Sequence, residues 1–198
     1  MKRIIIILTL LQIIICNNVF AQSKRGNQWV TGRGTTVMFE NNIVNTKYIA
    51  VTPWHYFTGG NSAICDTNGN LILCSDGFNI YDSVGNYIDE GDTLVPVDYY
   101  NHYGGWSDYS QSSIFLPMDS NKYYFITPAN SAGNLCFSCH NDAMFYSVID
   151  MNENGGAGKV VKRMIPFAEN GQFRKTQMMA CRHSNGKDWW LLKQAGDS

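Results

Sequence analysis

Cys136-Phe137-Ser138-Cys139-His140 sets two thiols three residues apart beside an imidazole. That spacing suits covalent c-type haem attachment, in which the thiols add to the vinyl groups and the histidine becomes an axial ligand. Haem also needs an apolar pocket and usually a second axial ligand. Here the motif lies among Gly, Ser and Asn residues between two expected strands, and Met144 and Met151, the other axial candidates, fall close together along one of them. A Cys136–Cys139 disulfide or loop thiol pair is the reading preferred, and no cofactor is expected.

Three further groups of side chains could do chemistry. Asp150-Met151-Asn152-Glu153-Asn154-Gly155 places oxygen side chains at alternate positions before a glycine, as the first half of a calcium loop does. The position for the bidentate Glu holds Val161, so Asp150, Asn152 and Asn154 read better as hairpin residues bonding their own backbone. Asp66, Asn68 and Asn70 invite the same suggestion and the same answer. Tyr99, Tyr100, His102, Tyr103, Trp106 and Tyr109 crowd one segment together with Asp98, Asn101, Gly104, Gly105 and Asp108. Flat rings beside amides and carboxylates can stack on sugar faces; they can equally fold back and cover a strand end. Cys181, His183 and Asp188 come nearest to a nucleophile with a base, but no third orienting group is in view. No nucleophile elbow, zinc-protease helix or phosphate loop occurs, so no catalytic residue is assigned.

The elements that must carry these residues are short strands. Ser62–Cys65 and Leu71–Cys74 flank an Asn-Gly turn, a strong hairpin signal because both residues tolerate positive φ. Phe78–Asp82 and Tyr87-Ile88 flank Ser83-Val84-Gly85-Asn86. Ser113–Leu116 pairs with Tyr123–Ile126, Ala143–Ile149 with Lys159–Ile165, and Met178–Arg182 with Trp189–Leu192. Residues 41–60, with Pro53, Gly59 and Gly60, are expected to be loop, and no segment shows helical periodicity. The chain has 198 residues, 44% of them apolar and 13% aromatic, which suffices for packed sheets. Its 15 basic residues against 16 acidic ones leave no electrostatic footprint for nucleic acid.

Lys2 and Arg3 precede the apolar run Ile4–Ile15, and Val19-Phe20-Ala21 follows. This predicts a signal peptide over residues 1–21, cleaved after Ala21, and residues 22–198 as the domain that is exported. The run is too short to span a bilayer, and nothing later is long and apolar enough to do so. Export implies an oxidising surrounding, yet Cys65, Cys74, Cys136, Cys139 and Cys181 are odd in number and define no disulfide framework.

Consecutive hairpins at this spacing fit a β-propeller or a sandwich. The order Trp29, Asn68-Gly69-Asn70-Leu71, Ser75-Asp76-Gly77, Gln111-Ser112-Ser113, Lys122–Thr127, Tyr146–Met151, Gly155–Gly158 and His183–Trp190 resembles the N-terminal propeller-like region of large secreted or surface proteins of gliding, type nine secreting Bacteroidetes. The resemblance implies an all-β, propeller-like domain of antiparallel hairpins at the cell surface or outside the cell. About twelve strands make roughly three blades, an incomplete ring whose missing blades belong to a longer parent chain or to further copies of this one. The expected function is a binding or scaffold module for an extracellular glycan or surface protein. The alternatives are a glycan-active propeller enzyme and an exported haem protein built on Cys136, Cys139 and His140.

Overall fold

The computed structural model describes residues 24–40, 43–49, 56–119, 121–134 and 140–196. The expected signal peptide, the Cys136–Cys139 pair, Pro53 and His55 lie outside the described residues.

Twelve strands among the described residues form four antiparallel sheets, each made of strands consecutive in sequence. β1 (Gln28–Thr31), β2 (Thr35–Glu40) and β3 (Ile43–Tyr48) form the first, and β4 (Ser62–Cys65), β5 (Leu71–Ser75) and β6 (Ile80–Asp82) the second. The third contains β7 (Ile114–Pro117), β8 (Lys122–Ala129), β9 (Ala143–Asp150) and β10 (Lys159–Ala168); the fourth is the hairpin of β11 (Phe173–Arg182) and β12 (Trp189–Ala195).

Asp residues set two of the turns in the same way. Asp66 Oδ1 accepts the backbone N–H groups of Asn68 and Asn70 at 2.8 and 2.9 Å, and Asn70 Nδ2 donates to Oδ2. Sixteen residues later, Asp82 Oδ1 accepts from Val84 N and Asn86 N, both at 2.9 Å, and Asn86 Nδ2 donates to Oδ2. Gly69 and Gly85, both at φ 96, occupy the left-handed position that each Asp-x-x-Gly-Asn turn requires. The expected Asn-Gly hairpin between Ser62–Cys65 and Leu71–Cys74 is therefore present, with each turn stabilised by its own side chain.

Side chains alternate across each strand, and this alternation stacks the sheets in chain order. Val30 and Ile49 from the first sheet meet Cys74 and Tyr81 from the second, with Phe57 between. The opposite face of the second sheet, Ile64, Leu73 and Ile80, meets Phe115, Tyr123, Phe125 and Ile149 of the third. Leu116, Ile126 and Met144 on the third sheet's other face meet Met178, Ala180 and Leu191 of the fourth. The second and third sheets are thus covered on both faces.

The structure departs from the sequence expectation in several elements. β1 and β2 form where no strand is expected, and the expected Tyr87-Ile88 strand is reduced to an isolated bridge between Tyr87 and Tyr81. β3 occupies residues expected to be loop; it pairs with β2 from Thr35↔Tyr48 to Glu40↔Ile43, and all six of its residues are exposed. With no buried face it has no apolar alternation to show. Val97–His102 forms a helix, α1, behind Pro96. At six residues it is too short for a periodic signal.

Asp76, in the turn between β5 and β6, is wholly buried. Oδ1 accepts from Phe78 N at 3.0 Å and Asn79 N at 2.8 Å, and Oδ2 from Asn79 Nδ2 at 2.8 Å and Tyr81 Oη at 2.7 Å. Asn79 carries the network outward: its Nδ2 also donates to Gly105 O at 2.8 Å, and its Oδ1 accepts from Thr93 N at 2.9 Å. A buried carboxylate is tolerable only with its lone pairs filled in this way. Asp76→Ala strands these donors at once, and urea denaturation is expected to show a loss of about 3 kcal/mol or more. Lys193 of β12 gives a test of the fourth sheet, because burial lowers its ammonium from an ordinary 10.5 to about 8. Between those values the unfolded chain binds more protons than the folded one, so stability rises with pH through that window. Lys193→Met should flatten this rise in urea midpoints measured between pH 8 and 10.5 and raise stability at pH 7.

Candidate functional site

The six aromatic and histidine residues singled out in the sequence divide by direction. α1 carries Tyr99 inward: it is buried, its ring lies 5.6 Å from Phe78, and its Oη donates to Asn141 Oδ1 at 2.9 Å. Tyr103, one helical turn on, sits 4.8 Å from Tyr99, and Tyr100 packs 6.2 Å from Phe78. These three rings close the end of the third sheet over Ala129, Ala143 and Phe145. The chain leaves α1 through Gly104 and Gly105, at φ 72 and 99; a Cβ on Gly105 would come within 3.1 Å of Tyr100 Oη. His102 remains exposed at the edge of Tyr103, while Trp106 and Tyr109 are half-buried.

Lys175, on β11, reaches this group from more than sixty residues away in the chain. Its Nζ donates to Tyr103 Oη at 2.7 Å and to Tyr109 Oη at 3.3 Å, and it lies 4.9 Å from the centre of the Tyr109 ring. The segment after α1 fixes that approach, because Gln177 N and Met178 N of β11 donate to Ser110 O and Gln111 O. Burial raises the phenols of Tyr99, Tyr100 and Tyr103 above their ordinary range. Tyr103 therefore stays protonated at neutral pH, and Lys175 ties its hydroxyl and that of Tyr109 to β11. On the solvent side Tyr56 lies 5.5 Å from Trp106 at 51°, with the Arg33 guanidinium 4.8 Å above Tyr56. Planes tilted by that angle do not make one flat platform for a sugar ring.

The remaining candidates are placed as follows. Asp150 Oδ1 accepts from Asn152 N and Nδ2, both at 3.0 Å, and Oδ2 pairs with Lys122 Nζ at 3.3 Å. These contacts hold its carboxyl below the usual range, led by the Asn152 N–H. Asn154 sits at φ 52 in the turn that follows. Among the described residues no group of three or more His, Cys, Asp and Glu could hold a metal ion. Cys136 and Cys139 lie outside the described residues; His140 is half-buried. Cys65 and Cys74 are buried free thiols, raised by burial, and Cys181 is an exposed free thiol. His183 Nδ1 accepts from Asn185 N at 3.1 Å, which engages that nitrogen in the β11–β12 turn.

A separate cleft lies between the third and fourth sheets. It holds about 490 Å³, within the range of roughly 300–1,000 Å³ usual for ligand sites. Tyr124, Tyr146, Phe167 and Trp189 supply four rings, Leu116, Met118, Ile126 and Leu191 the aliphatic lining, and Lys187 and Asp188 the charges. Trp189 is fixed by Nε1 donating to Pro117 O at 2.9 Å, and Tyr124 and Tyr146 meet edge to face at 5.8 Å. Sequence reasoning missed this site because its walls come from five strands. Among the described residues no helix is long and apolar enough to cross a membrane. No family model, curated protein or solved structure matches the chain.

The inward and outward rings of the α1 segment should respond differently to substitution. Tyr99→Phe, which removes the donor to Asn141 Oδ1, is expected to lower stability by about 1 kcal/mol. His102→Ala, at the surface, should stay within about 0.5 kcal/mol of the parent in the same thermal or urea melts.

Proposed function

We propose that the chain is a non-catalytic binding module, exported to the cell surface or beyond, that takes an apolar or aromatic side chain of a protein ligand into the cleft between its third and fourth sheets. The observation that carries this reading is the cleft itself: four rings and four aliphatic side chains with one Lys and one Asp. Apolar depth with few polar groups suits a protein anchor residue; a sugar would need more hydrogen-bonding partners around its hydroxyls. Three meanders and a hairpin stacked in chain order support a propeller-like arrangement, each sheet serving as a blade or part of one. Such a scaffold holds its ligand site rigidly between sheets. Export is proposed from the Lys2-Arg3 start, the apolar run Ile4–Ile15 and Val19-Phe20-Ala21.

Panning a phage-displayed random dodecapeptide library against the immobilised chain tests the reading. Enriched peptides are expected to carry an aromatic or large aliphatic residue and to lose about tenfold or more in affinity for Phe167→Ala and Tyr124→Ala chains. Peptides that bind both variants as well as the parent would overturn the cleft assignment. A glycan array bound by the parent, lost in Trp106→Ala and kept in Phe167→Ala, would instead assign binding to the rings of His102, Trp106 and Tyr56.

A further inference from the structure

Among the described residues the four sheets are stacked in chain order, each internal sheet covered on both faces and the first and last on one. The uncovered face of the first sheet carries Trp29, Phe39, Val44 and Tyr48, brought together by the pairings Trp29↔Val37, Phe39↔Val44 and Thr35↔Tyr48. Trp29 is 61% exposed, Val44 61% and Tyr48 63%, and Trp29 meets Phe39 edge to face at 5.0 Å. The uncovered face of the fourth sheet carries Met179 opposite Leu192 and Cys181 opposite Trp190. Met179 is 62% exposed, Trp190 60% and Leu192 52%, while Met178 and Leu191, their neighbours in sequence, pack on the third sheet.

We infer that these two faces are the two halves of one interface, and that the fourth sheet of one copy of this chain packs on the first sheet of another. Three observations favour a second copy as the occupant. First, each face lies at an opposite end of the stack, so the contact would continue a packing mode the chain already uses three times: sheet on sheet, the later one covering the earlier. Second, the paired residues of both faces are uncharged: Trp, Phe, Val, Tyr and Thr on one, Met, Leu, Cys and Trp on the other. Burying them together leaves no unpaired charge, whereas a basic or acidic partner would find nothing to pair with. Third, Trp189-Trp190-Leu191-Leu192 has the unbroken apolar character of a strand buried on both sides, like Tyr123–Ile126 of the third sheet.

The two faces differ, so the contact is head-to-tail and each copy keeps one free end, giving a closed ring or an open chain of copies. Each face is only two or three short strands wide, which places the association among weak interfaces, visible at about 100 µM and lost at about 1 µM.

Light scattering on the purified chain across that range tests this. The mass should grow with concentration. Val44→Asp blocks the first face and Leu192→Asp the last; both positions are exposed, so circular dichroism and melting temperature should match the parent. Each variant alone should remain monomeric at about 100 µM, and an equimolar mixture should form one-to-one dimers, because each supplies the face the other lacks. A parent that stays monomeric throughout, a variant that still self-associates, or a mixture that does not would each overturn the inference. Should either variant fail to fold, the unmodified chain still decides. Maleimide labelling of Cys181, read by peptide mass spectrometry, should slow at least about fivefold from the dilute to the concentrated sample. A rate independent of concentration would reject the interface.

Discussion

A carboxylate removed from water must find as many donors as it has lost, and Asp76 meets that demand within a span of six residues. Its four hydrogen bonds force the turn between β5 and β6, orient Tyr81 toward the first sheet and fix Asn79. Asn79 in turn holds Gly105 and Thr93, so the exit from α1 and the connection after β6 are tied to the same point. Ser107 N donates to Asp76 O at 3.1 Å and Thr127 Oγ1 to Gly77 O at 3.3 Å, which brings in the third sheet. Gly77 is at φ 102, and a Cβ there would reach Ser107 Cβ at 2.6 Å. Neither the acid nor the glycine can be exchanged without moving the parts they join.

The hairpins were legible because their determinants are local. Asp66–Asn70 and Asp82–Asn86 close their own turns with their own side chains; the apolar runs around the first mark strands, whereas after the second only Tyr87 bridges back to Tyr81. β3 was not legible, since Ile43–Tyr48 buries nothing and is a strand only through its pairing with β2. Nor was α1, whose six residues cannot display a helical period; Pro96 and Asp98 are its only local marks. The bulges that break the register of β10 against β9 also answer to sheet curvature, which no short window of sequence encodes.

The aromatic segment shows what composition can and cannot say about a site. Six rings within eleven residues announce that rings will be placed somewhere, but their direction depends on Phe78, Asn141 and Lys175, contributed by three other parts of the chain. Tyr99 and Tyr103 share one side of α1 because they are four residues apart, and that side faces the sheet. Desolvation then keeps their hydroxyls protonated, so this group is a plug held by hydrogen bonds and ring contacts.

The cleft follows from a mismatch in strand number. Four strands spaced about 4.8 Å apart make a sheet roughly twice as wide as a two-stranded hairpin. When β11 and β12 lie on the third sheet, Met178, Ala180 and Leu191 cover Leu116, Ile126 and Met144, while Tyr146 and Phe167 line the cleft beside them. Trp189, bonded to Pro117 O, lines it as well. A fourth sheet as wide as the third would have closed this space with side chains of its own. The opening is thus set by how many strands the last hairpin contains, and its apolar lining is the part of an inter-sheet core left without a lid.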